Sequence, residues 1–261
     1  MAQAISFQTV SKSFVRGGRR TVAIEDLSFT IEQGRYVCVL GRSGCGKSTM
    51  INLLLGLSKP DRGAVRVLGH DPHDSFDRLK GHIGCVFQND RLLPWRNAMD
   101  NVLLPLEILD VKDADHWHRA SQWIERFGLA GFEKAHPSEL SGGMRQRVAL
   151  ARALASDPDI LLADEAFGHL DAATGDKLRR AFKAVARQGG KTVLHVTHSI
   201  DEAIELADQI IVLGRPGRIL ATFDNTQSRD GAATDALRQD IMRYLRKDGW
   251  SEDEAEELAS V

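Results

Sequence analysis

The sequence predicts an α/β domain with a parallel-sheet core, an antiparallel β-layer and an α-helical segment inserted between two core strands. Three observations predict it. Short, continuous apolar runs recur at Val37–Leu40, Cys85–Phe87, Ile160–Ala163, Val193–Thr197 and Ile210–Leu213. Each has the length of a strand, and unbroken apolar character suits strands covered on both faces of a parallel sheet. Helical patterns lie between several of these runs, which is the alternation of an α/β domain. Residues 4–33 and 62–69 instead alternate and carry Gly-rich basic turns such as Arg16-Gly17-Gly18-Arg19-Arg20, so they read as an antiparallel layer.

Residues 92–155 hold no convincing strand pattern. Apolar positions there recur at helical spacing, as in Trp117, Ile124 and Phe127, then Leu129. The tail from about 225 is polar, with one amphipathic pattern at Leu237, Ile241, Tyr244 and Leu245, read as a helix that covers core. These boundaries predict a core of residues 1–90 and 156–225, a helical subdomain of 91–155, and a helical tail of 226–261.

Composition sets limits. The chain has 261 residues, 43% of them apolar and 27% charged, enough for a sizeable core, and its net charge of -2 gives no global pull toward nucleic acid or anionic lipid. Cys38, Cys45 and Cys85 form no CxxC pair, which argues against zinc and disulfides and fits a reducing cytosol. No secretory signal is read at the N-terminus. The longest apolar runs fall far short of the roughly 20 residues a spanning helix needs, so any membrane role is expected to go through partners.

The sharpest motif is Gly41-Arg42-Ser43-Gly44-Cys45-Gly46-Lys47-Ser48-Thr49. It fits G-x-x-x-x-G-K-[ST] and stands between a strand run and a helical run, as a phosphate loop must. Glycines let successive backbone N–H groups converge on an anion, and the following helix adds its positive end. Lys47 is placed to reach the β- and γ-phosphates of ATP, and the Ser48 hydroxyl to ligate Mg²⁺. Cys45 inside the loop reads as a small filler.

Ile160–Glu165 supplies the acidic half. Four apolar residues bury a strand, and Asp164 and Glu165 emerge at its carboxyl end, where open α/β sheets hold ligands. Asp164 is expected to hold Mg²⁺ directly or through water, and Glu165 to orient and polarise the attacking water. Phosphoryl transfer needs mainly positioning and charge stabilisation, so a carboxylate there is chemically apt.

Leu140-Ser141-Gly142-Gly143-Met144-Arg145-Gln146-Arg147 discriminates most. Ser141 can cap a helix whose inner side is Val148, Leu150, Ala151 and Leu154. Gly142 and Gly143 leave room for a ligand. This is a second anion-binding helix start in a chain that already has one, and we read it as serving ATP held by another copy.

With these segments in place the chain resembles an ATP-binding cassette (ABC) ATPase over roughly residues 4–225. The resemblance implies a P-loop NTPase (RecA-like) core. Gln88 matches the glutamine that touches Mg²⁺ and water, and His198 the histidine that contacts the γ-phosphate. Leu170–Asp171 matches the D-loop, and Phe14 the aromatic under the adenine. The resemblance makes Glu165, His198, Gln88 and Lys47 catalytic. Nucleotide binding then falls to Phe14, residues 41–49, Ser141, Gly142, Gly143, Gln146 and Asp171. Metal binding falls to Ser48, Gln88 and Asp164. It also implies a head-to-tail dimer with two ATP molecules between the copies. Ala166 stands where the family usually has Pro, and His169 where it has a small residue. Proline pre-sets φ, so Ala166 is expected to leave Glu165 less rigidly aimed. His169 reads as an inert surface residue or a contact across the dimer.

Other residues invite simpler readings. His195 and His198 lie three apart on a strand pattern and so face opposite ways, which argues against a metal pair. His116 and His118 suit an exposed helix, and the acidic run at 251–257 a solvated end. Residues 91–106, rich in Leu92, Leu93, Pro94 and Trp95, follow Gln88 directly. In the family this stretch begins the helical domain and receives the permease, and its wording is similar to importers of nitrate, sulfonate, taurine and related solutes. The resemblance therefore implies two permease subunits, an extracytoplasmic solute-binding protein and a peripheral place on the cytoplasmic face of the inner membrane, with no nucleic acid. The rival reading is a soluble ABC ATPase of nucleic-acid repair or translation. Such proteins carry tandem cassettes or a long coiled-coil or zinc insertion, whereas this chain has one phosphate loop and no long heptad run. A P-loop kinase would have no need of Leu140–Gln146.

Overall fold

The computed structural model describes residues 2–111, 115–168, 172–226 and 231–249. The chain divides into two compact units, Met1–Leu79 with Thr192–Val261, and Lys80–Lys191.

The first unit opens with two long strands, β1 (Gln3–Arg16) and β2 (Arg19–Glu32), joined by a Gly17-Gly18 turn whose residues both have positive φ. Strand β3 (Tyr36–Gly41) follows, then helix α1 (Lys47–Leu54), strand β4 (Arg62–Val67) and the short helix α2 (Phe76–Leu79). Strands β1, β2 and β4 form the expected antiparallel layer, in the order β2-β1-β4. One face is buried through Ile5, Phe7, Val10, Ile24 and Leu27, and Phe7 stacks on Phe29 with ring centroids 4.7 Å apart.

The second unit begins with β5 (Ile83–Val86) and then runs helical through α3 (Ala98–Ile108), α4 (His116–Arg126), a 3-10 turn at Pro137–Glu139 and α5 (Gly142–Ala155). Strand β6 (Ile160–Asp164) and helix α6 (Ala172–Gln188) complete it. Strands β5 and β6 pair in parallel, with Val86 opposite Ala163. The helices pack through buried Val102, Leu106, Ile124, Val148, Leu150 and Leu154. The helical spacing read at Trp117 and Ile124 falls on α4, where Ile124 is buried and Trp117 lies 53% exposed.

The chain returns to the first unit with β7 (Thr192–Thr197), α7 (Ile200–Leu206), β8 (Gln209–Gly214), β9 (Arg218–Asp224) and α8 (Gly231–Lys247). Strand β3 lies between β7 and β8, parallel to both, and every residue of β3 and β7 is buried. Burying each Val or Leu side chain contributes about 1.5–3 kcal/mol, which is why the apolar runs are unbroken. Strand β9 pairs antiparallel with β8 and carried no sequence signal, because none of its residues is fully buried. Helix α8 buries Leu237, Ile241 and Leu245 against α7, β8 and β9, and Tyr244 meets Phe223 edge to face. Among the described residues no helix is long and apolar enough to cross a membrane.

Candidate nucleotide site

The sequence-derived site residues divide between the units. Phe14, residues 41–49 and His198 belong to the first; Gln88, Ser141, Gly142, Gly143, Gln146, Asp164 and Glu165 belong to the second. Asp171, with Leu170 and His169, lies outside the described residues, as does the acidic run at 251–257.

In the first unit, Leu40 pairs with Thr197, so Gly41 and His198 leave adjacent parallel strands at one carboxyl edge. This is where a doubly wound sheet offers a crevice. The loop that follows β3 is braced from behind by backbone. A Cβ on Gly46 would lie 2.5 Å from the Ala23 carbonyl oxygen, and one on Gly41 would lie 2.6 Å from Cys45 Sγ. Gly46 also holds φ +105, which favours glycine. On its other side the loop is open: Ser43, Gly44 and Ser48 are exposed, and nothing stands within 4 Å of a Cβ built on Gly44. Lys47 is buried at 5% exposure, and its Nζ donates to the carbonyls of Gly41 (2.6 Å) and Arg42 (3.0 Å). The ammonium thus lies folded against the loop's own carbonyls, a position from which it can turn to an incoming anion. Cys45 is buried as a filler, and that burial pushes its thiol up, away from reactivity.

His198 sits in a pinned turn. Thr197 Oγ1 donates to Glu202 (2.6 Å) and accepts from the Ser199 N–H (3.0 Å), while Ser199 caps α7. The flanking residues are buried and His198 is half-exposed. His195, three residues earlier in β7, is fully buried beside Tyr36, with Tyr36 Oη 3.2 Å from its Nδ1. Phe14 stands 46% exposed near the end of β1, with Lys12 Nζ 5.6 Å from its ring centre. Asp61 holds that strand end, accepting from the Ser13 N–H (2.7 Å), Ser13 Oγ (2.8 Å) and Lys12 Nζ (3.1 Å).

In the second unit the same edge logic recurs. Because Val86 pairs with Ala163, Gln88 and the Asp164–Glu165 pair leave adjacent strands together. Gln88 Nε2 donates to Glu165 Oε2 at 3.1 Å. Glu165 adopts φ +48, a left-handed conformation that costs a non-glycine residue about 1 kcal/mol. Ala166 is buried, and its carbonyl accepts a 2.6 Å hydrogen bond from Gln146 Nε2. The path after Glu165 is therefore held by a glutamine of α5 rather than by a proline. Asp164 lies close enough to Cys85 that its charge, after burial, helps push that thiol up to about 12.

Ser141 caps α5, its Oγ accepting from the Met144 N–H at 3.3 Å. Ser141 and Gly142 are exposed. Two arginines of α5, which sequence reasoning passed over, hold the segment after Gln88. Arg145 Nε pairs with Asp90 Oδ2 at 2.9 Å, and Arg152 donates to the carbonyls of Asp90 (2.6 Å) and Arg91 (2.8 Å). Buried Asn101 then closes the turn at 93–97, accepting from the Leu93 N–H (2.8 Å) and donating to the carbonyls of Leu93, Arg96 and Asn97. Trp95 projects from this turn at 72% exposure, while Leu92 is buried. The only cue to this clamp in the sequence is basic residues on a helix face that is otherwise apolar.

Among the described residues no three His, Cys, Asp or Glu side chains gather as a metal cage. A lysine folded over a glycine loop that is open on one side fits a polyphosphate.

Comparison with known proteins agrees. The ABC transporter family matches residues 24–168. The taurine import ATP-binding protein TauB of Pseudomonas aeruginosa is 41% identical over 235 residues, covering 90% of this chain and 88% of that protein. The aliphatic sulfonates import ATP-binding protein SsuB of Bacillus cereus is 36% identical, covering 94% of this chain and 97% of that protein. Among solved structures, the ATP-binding cassette MJ0796, a dimer in a post-hydrolysis state bound to ADP and Pi, superposes with TM-score 0.78 at 35% identity, covering 86% of this chain and all of that one. The chain is thus an ATP-binding, ATP-hydrolysing cassette, and it belongs to the ABC transporter family.

Proposed function

We propose that two copies of this chain clamp two ATP molecules between them and use hydrolysis to drive import of a small solute through separate permease subunits. Sulfonates of the taurine class are the favoured solutes, because relatives named for taurine and aliphatic sulfonate import cover nearly the whole chain. A nitrate-like solute is the nearest alternative. The chain then sits peripherally on the cytoplasmic face of the membrane, and a solute-binding protein outside delivers cargo to the permease.

Each residue has a task in this reading. Residues 41–49 wrap the phosphates, Lys47 exchanges its carbonyl partners for phosphate oxygens, and Phe14 lies under the adenine. Magnesium held by Ser48, Asp164 and Gln88 neutralises phosphate charge when bound. Glu165 orients the attacking water and His198 contacts the γ-phosphate. Ser141, Gly142 and Gly143, with Gln146 and Asp171 in support, complete the partner copy's pocket. The helical segment 91–155 faces the permease, with Trp95 as an exposed apolar anchor in a rigid turn.

The observation that carries the reading is the Gln88–Glu165 hydrogen bond at the end of β6, made by a carboxylate in a strained backbone conformation. Strain of this kind is found where a side chain must be aimed. Glu165→Gln is the test. It is expected to keep ATP binding, to lose about 10²–10³ in turnover, by comparison with removal of one preorganised group, and to accumulate an ATP-bound dimer. Near-normal turnover would assign the water to another residue.

A further inference from the structure

The reading above leaves α8 without a task, yet its last turn is tied at two points. The Asp248 carboxylate, only 6% exposed, accepts from the Arg215 N–H (2.8 Å) and Arg218 Nη2 (3.1 Å) in the turn between β8 and β9. Gly214 makes room for it: a Cβ there would lie 2.7 Å from Asp248 Oδ1. One residue later, Gly249 ends the helix at φ +89, its N–H bonded to the Arg246 carbonyl at 3.0 Å. Its own carbonyl then accepts from Arg42 Nη1 at 2.8 Å.

Arg42 is the second residue of the phosphate loop, and its carbonyl is one of the two that hold Lys47 Nζ. A continuous chain of bonds therefore runs from the β8–β9 turn through Asp248 and Gly249 to the loop lysine. The charged side chain paired with Asp248 is Arg218 of β9. Burial first, and the Asp248 charge after it, push the Cys45 thiol up against the pull of Lys47, so the carboxylate is felt inside the loop.

We propose that Asp248 and Gly249 form a positioning latch that presets the phosphate loop and sets ATP affinity through Arg42. The proposal rests on residues 41–49 being the ATP cradle. A loop already held in its binding shape loses less freedom when the nucleotide arrives. It follows that movement of the α8 end tunes nucleotide affinity without touching the nucleotide.

The test compares full-length wild type, Arg42→Ala, Asp248→Ala and the double variant, measuring the ATP Kd by calorimetry and KM and kcat by phosphate release. Circular dichroism first establishes that each is folded at the assay temperature. Each single variant is expected to raise Kd and KM about fivefold, roughly 1 kcal/mol. The kcat of Asp248→Ala stays within about twofold, and the double variant is no weaker than the worse single one. Asp248→Asn, which keeps an acceptor for the Arg215 N–H, recovers most of the affinity. Multiplying effects in the double variant, or an unchanged Kd in Asp248→Ala, would overturn the latch alone. A wild-type chain that binds no ATP would overturn the cradle reading and the latch with it.

Discussion

At the scale of single residues, the site is held by side chains that satisfy the backbone rather than by bulk packing. Glu165 keeps a costly φ because Gln88 takes its carboxylate and Gln146 takes the next carbonyl. The expectation that Ala166 loosens the aim of Glu165 omitted Gln146, whose bond across 20 residues no local reading contains. Asp61 plays a comparable part for the strand end bearing Phe14. Hydrogen bonds from Ser13 and then from Lys12 hold its carboxyl at about 2, below the ordinary 3.8. A depressed carboxylate stabilises the fold above its unfolded value and loses that contribution as pH falls through its folded value. Wild type should therefore exceed Asp61→Asn in urea stability at neutral pH, with the gap narrowing as pH drops from 3.8 toward about 2. The gap stays modest, because this side chain is 38% exposed and solvent screens it. A gap independent of pH would remove the charge from the explanation.

At the scale of elements, legibility followed burial. Strands β3, β6 and β7 were readable as unbroken apolar runs because both faces are covered, and the antiparallel layer was readable from alternation because one face is. Strand β9 was not, since it borders the sheet half-exposed. Asn101 was illegible for the opposite reason: an asparagine within a helix reads as surface, yet it is fully buried. Its amide makes four bonds to one turn, and Asn101→Ala strands those groups. We expect a loss of about 1–3 kcal/mol by urea unfolding, the range for unsatisfied buried polar groups. A change under about 0.5 kcal/mol, typical of an inert surface position, would mean the turn stands without it.

At the scale of the whole molecule, the motifs were plain because phosphate chemistry tolerates few alternatives: Gly41, Gly46, Lys47 and Ser48 have spacing that backbone geometry dictates. The ties between them were hidden. The bond from Arg42 to Gly249 spans 207 residues, and only folding brings its ends together. Ser141 caps α5 while itself exposed. The proposed head-to-tail closure of two copies would give both helix starts a phosphate.

That closure is best tested by complementation. One full-length variant carries Lys47→Ala, which spoils the cradle, and another carries Ser141→Arg, which spoils the helix start. Each alone should hydrolyse ATP negligibly. In an equal mixture about half the dimers are mixed, each with one complete site, so roughly a quarter of wild-type activity should return. A mixture no more active than its separate components, or a Ser141→Arg chain turning over at the wild-type rate, would contradict the shared pocket.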